Sequence, residues 1–209
     1  MKLIVHFLLL LVGISFASSE ETVSPLFIEG YGDEVSYAPG EILKLHTSTT
    51  GSSFSVSIAR LGLKTEPLHT GTNIPGGVAA IPENASSAGC GWPVSYEFEI
   101  PVHWKSGYYR VVFSTQDSGG KFVQRGRRTA QSECYFVLRS SDPGSSSKIL
   151  LQLATNTYNA YNNWGGSSLY GFHGRHGLQG HQVSFHRPPP FPLFEMGTGF
   201  REVGGKRGL

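Results

Sequence analysis

The chain has 209 residues and a formal net charge of +2 at pH 7, and so weak a charge excludes an electrostatic case for nucleic acid or an anionic membrane as partner. Hydrophobic residues supply 39% of it and charged residues 15%, while 27 glycines and 12 prolines punctuate the sequence. Such a composition points to many short strands joined by tight turns.

The N-terminus reads as an export signal. Lys2 gives a basic start, Leu3 to Phe16 is almost wholly apolar, and Ser15, Phe16 and Ala17 form the small-x-small pattern of a cleavage site. Residues 1–17 are therefore set apart as a signal peptide, and a secreted, extracellular protein is expected. No later stretch reaches the ~20 apolar residues of a transmembrane helix, so no membrane association is expected after cleavage.

Residues 18–139 are expected to form one domain, and from about Pro25 to Arg139 the pattern has a period of two. Leu43, Leu45 and Thr47 share a face, as do Phe54, Val56 and Ile58, then Tyr109, Val111 and Phe113, then Cys134, Phe136 and Leu138. In Tyr96-Glu97-Phe98-Glu99-Ile100 both glutamates fall on the solvent side. One-sided alternation is the mark of an antiparallel sheet with one wet face. Ala38-Pro39-Gly40-Glu41 reads as a turn, and Gly51-Ser52 and Ser118-Gly119-Gly120 as hairpin tips. The fold class expected here is mainly β, an immunoglobulin-like antiparallel β-sandwich. Residues 65–91 lack periodicity and are expected to form a long loop.

Three motifs in this half fit export. Cys90 and Cys134 are the only cysteines, and a disulfide between them would close a loop of about 45 residues, worth roughly 4 kcal/mol by chain entropy. Asn84-Ala85-Ser86 is a glycosylation acceptor within a Pro/Gly/Ser-rich stretch. Arg125-Gly126-Arg127-Arg128 matches either a convertase site or a basic hairpin loop, and the loop is the expected reading.

Residues 140–147 (SSDPGSSS) read as a linker. The apolar run Lys148-Ile149-Leu150-Leu151-Gln152-Leu153 then suits a strand buried on both faces of a parallel sheet. An Asn/Gly/Tyr-rich stretch follows it, where α/β proteins place active sites. Residues 148–209 are thus expected to be the truncated start of an α/β domain. His173, His176, His181 and His186 lie close together, yet without helical spacing, so a solvated loop is expected rather than a zinc or copper site. Ser184 lies in no nucleophile elbow, and Pro188-Pro189-Pro190-Phe191-Pro192 reads as an extended loop.

The residues Thr155-Asn156-Thr157-Tyr158-Asn159-Ala160-Tyr161-Asn162, the pair Gly165-Gly166 and the step Ser168-Leu169-Tyr170 resemble the opening of the C-terminal domain in the N,N-dimethylformamidase large-subunit family. Val183-Ser184-Phe185-His186-Arg187-Pro188 is similar to that family's VSF-x-RP strand. Upstream, Tyr37 to Glu41, Ile58 to Gly62 and Trp104 to Tyr109 resemble its immunoglobulin-like N-terminal domain. The resemblance spans residues 25–195. It implies an amide hydrolase on a glutamine-amidotransferase-like domain, with one iron held by a tyrosine and two glutamates.

Phenolate and carboxylate are hard oxygen donors that suit ferric iron. The resemblance implies Tyr170 as the tyrosine ligand and Tyr158 as a pocket-lining residue. Glu195 and Glu202 match no motif of the family, and its two glutamate ligands are expected beyond this sequence. The chain is therefore expected to hold no iron and to lack amidase activity. The rival expectation is a non-enzymatic module whose immunoglobulin-like domain binds an unidentified extracellular partner.

Overall fold

A computed structural model of the protein describes residues 25–117, 128–145 and 147–189. The export signal, the Ser118-Gly119-Gly120 tip, the first three residues of the basic motif, most of the proline run, Glu195 and Glu202 lie outside the described residues. The architecture is mainly β, built as two sheets. Strands β1 (Ile28–Gly32), β3 (Ile42–Thr49) and β6 (Val94–Glu99) form one, in the order β1-β3-β6. Strands β2 (Ser36–Tyr37), β4 (Ser53–Leu61), β5 (Glu66–Pro75), β7 (Gly107–Asp117) and β8 (Arg128–Leu138) form the other, in the order β2-β8-β7-β4-β5. Neighbours are antiparallel except β2 and β8, which run parallel.

The alternation read from the sequence sets the core. Leu43 and Leu45 from the first sheet meet Phe54, Val56, Ile58, Tyr109, Val111, Phe113, Phe136 and Leu138 from the second, all buried. Glu97 and Glu99 face water as expected. Burying each large aliphatic side chain contributes about 1.5–3 kcal/mol, so the shared face holds the two sheets together. Tyr109 adds a polar anchor by donating its hydroxyl to the Lys105 carbonyl at 2.5 Å.

Three local expectations are corrected. Gly51-Ser52 is not a hairpin tip, because β3 and β4 belong to different sheets and the turn carries the chain between them. A Cβ at Gly51 would lie 1.9 Å from Thr115 Oγ1, so only glycine lets this crossing approach the sheet. The stretch expected as a long loop contains β5 and the short helix α1 (Ala85–Ala88). Strand β5 escaped the pattern for two reasons. It is an edge strand, exposed on most of its length, and its pairing with β4 shifts register at Phe54/Val56 and again at Ile58/Ala59. Finally, residues 148–153 form no strand. Ile149, Leu150 and Leu151 are exposed, since no strand stands beside them among the described residues.

After residues 147–154, which form no helix or strand, come helix α2 (Thr155–Tyr161) and two single 3-10 turns, Gly171–His173 and Arg175–Gly177. This C-terminal segment packs against the sheets through a second apolar cluster of Tyr31, Ala85, Cys90 and Trp92, with Trp164 joining from the segment. Trp92 and Trp164 meet edge to face, 5.7 Å between centroids.

Replacing Leu45, fully buried between the sheets, by alanine should lower the unfolding free energy by about 2–5 kcal/mol in a urea titration. The same change at fully exposed Leu63 should shift it by less than about 0.5 kcal/mol.

Candidate functional site

The most constrained polar group of the C-terminal segment is Arg187. It is 1% exposed, and no ion pair to a carboxylate is formed by it among the described residues. Its guanidinium donates instead to five backbone carbonyls. Nε donates to Ser184 at 3.0 Å, Nη1 to Trp164 at 2.6 Å and Ser167 at 3.2 Å, and Nη2 to Asn159 at 3.4 Å and Asn162 at 2.9 Å. A guanidinium has five N–H groups, so every one is used. Two of the acceptors lie at the C-terminal end of α2, where a cation is favoured, and the Asn159 carbonyl also takes the Asn162 N–H at 3.1 Å. Burial lowers the Arg187 pKa to about 10, an effect partly offset by the Cys90 thiol. Asn162 closes the arrangement, donating Nδ2 to the Pro188 carbonyl at 2.9 Å and accepting the Trp164 N–H at 3.0 Å.

The segment so gathered docks on the sheets by short polar contacts. The hydroxyls of Ser86 and Ser167 are 2.8 Å apart, and the Ser184 N–H donates to the Ser86 carbonyl at 3.0 Å. Cys90 donates its N–H to the His186 carbonyl at 2.8 Å, while His186 Nε2 lies 3.0 Å from the Asp33 carbonyl oxygen.

Between segment and sheets lies a cavity of about 50 Å³ lined by Tyr31, Asp33, Cys134, Tyr135, Tyr158 and Arg187, among others. Its volume suits water-sized occupants rather than a larger substrate. Three phenols gather on its Tyr135 and Tyr158 side. The Tyr108 and Tyr135 rings are 5.4 Å apart, and Tyr135 and Tyr158 meet edge to face at 6.4 Å. Burial, then the Tyr158 phenol, pushes Tyr135 up to about 12. Burial likewise raises Tyr108 and the Cys134 thiol. These groups stay protonated at neutral pH and act as weak donors, not as nucleophiles.

The structure places Tyr158 in this cavity and Tyr170 elsewhere. Tyr170 is partly exposed, stacks on Tyr161 with 4.2 Å between centroids, and touches the Phe172 ring at 5.6 Å. Its hydroxyl hydrogen-bonds that of Tyr161, which raises the Tyr161 pKa. Among the described residues no three His, Cys, Asp or Glu side chains come together as a metal would require. His176, His181 and His186 are exposed and join no such group. Asn84 is exposed and immediately precedes α1.

The disulfide expected between Cys90 and Cys134 is not formed, and both residues are buried free thiols. The reason lies in the packing. Cys134 belongs to the core between the sheets, whereas Cys90 is held in the second cluster with Tyr31 and Trp92, beside Arg187. Sequence reasoning quoted Arg187 within a motif yet gave it no role. The available signal was an arginine lacking any acidic neighbour in a segment rich in Asn, Ser and Gly carbonyls.

Residues 55–205 match the protein family described as N,N-dimethylformamidase beta subunit-like, C-terminal. The match begins within β4 and runs on through the clasped segment, so it covers both sides of the 140–147 stretch. No curated protein matches the chain.

Burial raises the Cys90 thiol from 9.0 to about 12. A folded-state pKa above the unfolded one contributes stability that is complete below the unfolded value and is lost as pH rises toward the folded value. Arg187 acts with the opposite sign above about 10, so the clean window is pH 9 to 10. In that window the unfolding free energy should fall more steeply with pH for the wild type than for Cys90→Ala, by up to one proton's worth of slope. Urea titrations at stepped pH check this.

Proposed function

As the chain belongs to the N,N-dimethylformamidase beta subunit-like family, we propose that it is an exported relative of iron-dependent amide hydrolases that does not itself turn over amides. The single observation that carries the negative part is the setting of Tyr170, whose ring stacks on Tyr161 and whose hydroxyl is engaged by it. In hydrolysis of this kind a ferric ion polarises the amide carbonyl and acidifies a bound water. Holding it takes several hard oxygen donors at once, and Tyr170 brings one that is already shared. Tyr170 is not among the residues that line the cavity at Tyr158, where the Tyr135 phenol and the Cys134 thiol stay protonated rather than supplying anionic ligands.

The same reading makes the two sheets an immunoglobulin-like sandwich and the residues from 148 onward the opening of an α/β domain. Export is supported by the basic start, apolar run and small-residue site of residues 1–17. A second reading, a binding module for an extracellular partner, is favoured by one observation. Ile149, Leu150 and Leu151 expose three consecutive large apolar side chains, and apolar surface of that kind marks interaction sites.

Purified protein given ferric iron and dimethylformamide should release no dimethylamine above the blank and show no visible phenolate absorption band. Release above the blank would contradict the proposal. Expressed with its own leader in a secretory host, the chain should be recovered from the medium with a new N-terminus near Ser18, and retention in the cytosol would remove the export reading.

A further inference from the structure

Asn84-Ala85-Ser86 is an N-glycosylation acceptor whose three residues are treated very differently by the fold. Asn84 is exposed, whereas Ala85 is fully buried and Ser86 is 7% exposed. Three contacts on Ser86 come from later in the chain. Its hydroxyl is bonded to that of Ser167 at 2.8 Å, and its carbonyl accepts the Ser184 N–H at 3.0 Å. Gly165 lies against its backbone so closely that a Cβ there would stand 2.9 Å from the Ser86 nitrogen, and Gly165 has a φ of +82°. One residue on, the Ser87 carbonyl accepts from Gln182 Nε2 at 3.3 Å. The acceptor backbone is also wound into α1, with the Asn84 carbonyl taking the Ser87 and Ala88 N–H groups at 3.0 and 2.8 Å.

Glycan attachment joins the Asn Nδ2 to the anomeric carbon of a lipid-diphosphate-linked oligosaccharide. The bond from that carbon to the diphosphate breaks, the diphosphate leaves with the electron pair, and the amide nitrogen loses a proton. The transferase must hold the acceptor in an extended form and reach the hydroxyl two residues after the asparagine. In the docked fold that hydroxyl is buried and already bonded. A sugar attached earlier is no obstacle to docking, because the Asn84 side chain itself stays in solvent.

We propose that Asn84 is a conditional glycosylation site, open only until residues 155–189 dock and closed by the Ser167, Gly165 and Ser184 contacts. The proposal rests on the export reading. Its consequence is that glycan occupancy reports a race between transfer and closure of the Arg187 clasp.

The test imposes export with a heterologous leader in a eukaryotic host and reads occupancy by intact mass, with Asn84→Gln as the site control. Occupancy should rise about twofold or more in both Arg187→Met, which undoes the clasp, and Gly165→Ala, which lifts the segment from Ser86, because local opening exposes the acceptor. As a second measurement, unglycosylated chain from a bacterial cytoplasm is offered to microsomal membranes. The folded wild type should accept no glycan, while urea-unfolded wild type diluted into the membranes should accept it. Equal occupancy across the three chains in the host, or equal transfer to folded and unfolded wild type, would overturn the proposal. Because the leader is imposed, neither result depends on whether the chain's own leader works.

Discussion

The C-terminal segment of the described structure depends on where one buried cation finds its acceptors. Arg187 takes five carbonyls from Asn159, Asn162, Trp164, Ser167 and Ser184, gathering a segment that has one short helix and no sheet of its own. Hydrogen bonds to a charged group contribute about 1.5–3 kcal/mol each, and a charge left buried without them would cost several kcal/mol. An apolar side chain in its place would take this donor from all five carbonyls, of which Asn159 would keep the Asn162 N–H at 3.1 Å. The clasp thus replaces a hydrophobic core that the segment is too polar to build.

That constraint explains the rest of the site. With α2, Trp164 and Ser167 fixed by Arg187, the Trp164 ring meets Trp92 and the Ser167 hydroxyl meets Ser86. The same geometry sets Tyr158 against Tyr135 over the cavity beside Cys134. It also leaves Tyr170 outside the lining of that cavity, paired with Tyr161. The family ancestry and the chemistry available to these residues are thus different matters.

Much of the sheet part was legible in the sequence, since alternation is a local property. Phe54, Val56 and Ile58 had to share a face once they lay in a strand, and so did Cys134, Phe136 and Leu138. Edge strand β5 was hidden because exposure on both sides and two register shifts erase the period. The Leu150 run misled because apolarity alone does not supply a neighbouring strand. Tyr158 and Tyr170 were named from a family resemblance, but their partners are set by long-range packing that spacing does not encode. Arg187 was passed over for the opposite reason. Its acceptors are main-chain carbonyls, which every residue carries, so the lack of any acidic residue over 155–189 was its one sequence signal.

The central claim is that Arg187 holds residues 155–189 on the sheets. Hydrogen exchange in the wild type and in Arg187→Lys tests it most directly, because an ammonium keeps the charge but has three donors instead of five. The account predicts that amides of α2 and of residues 162–188 lose protection while those of β4, β7 and β8 keep theirs. Unchanged protection across 155–188 would show that the segment is held by other contacts, and would contradict it.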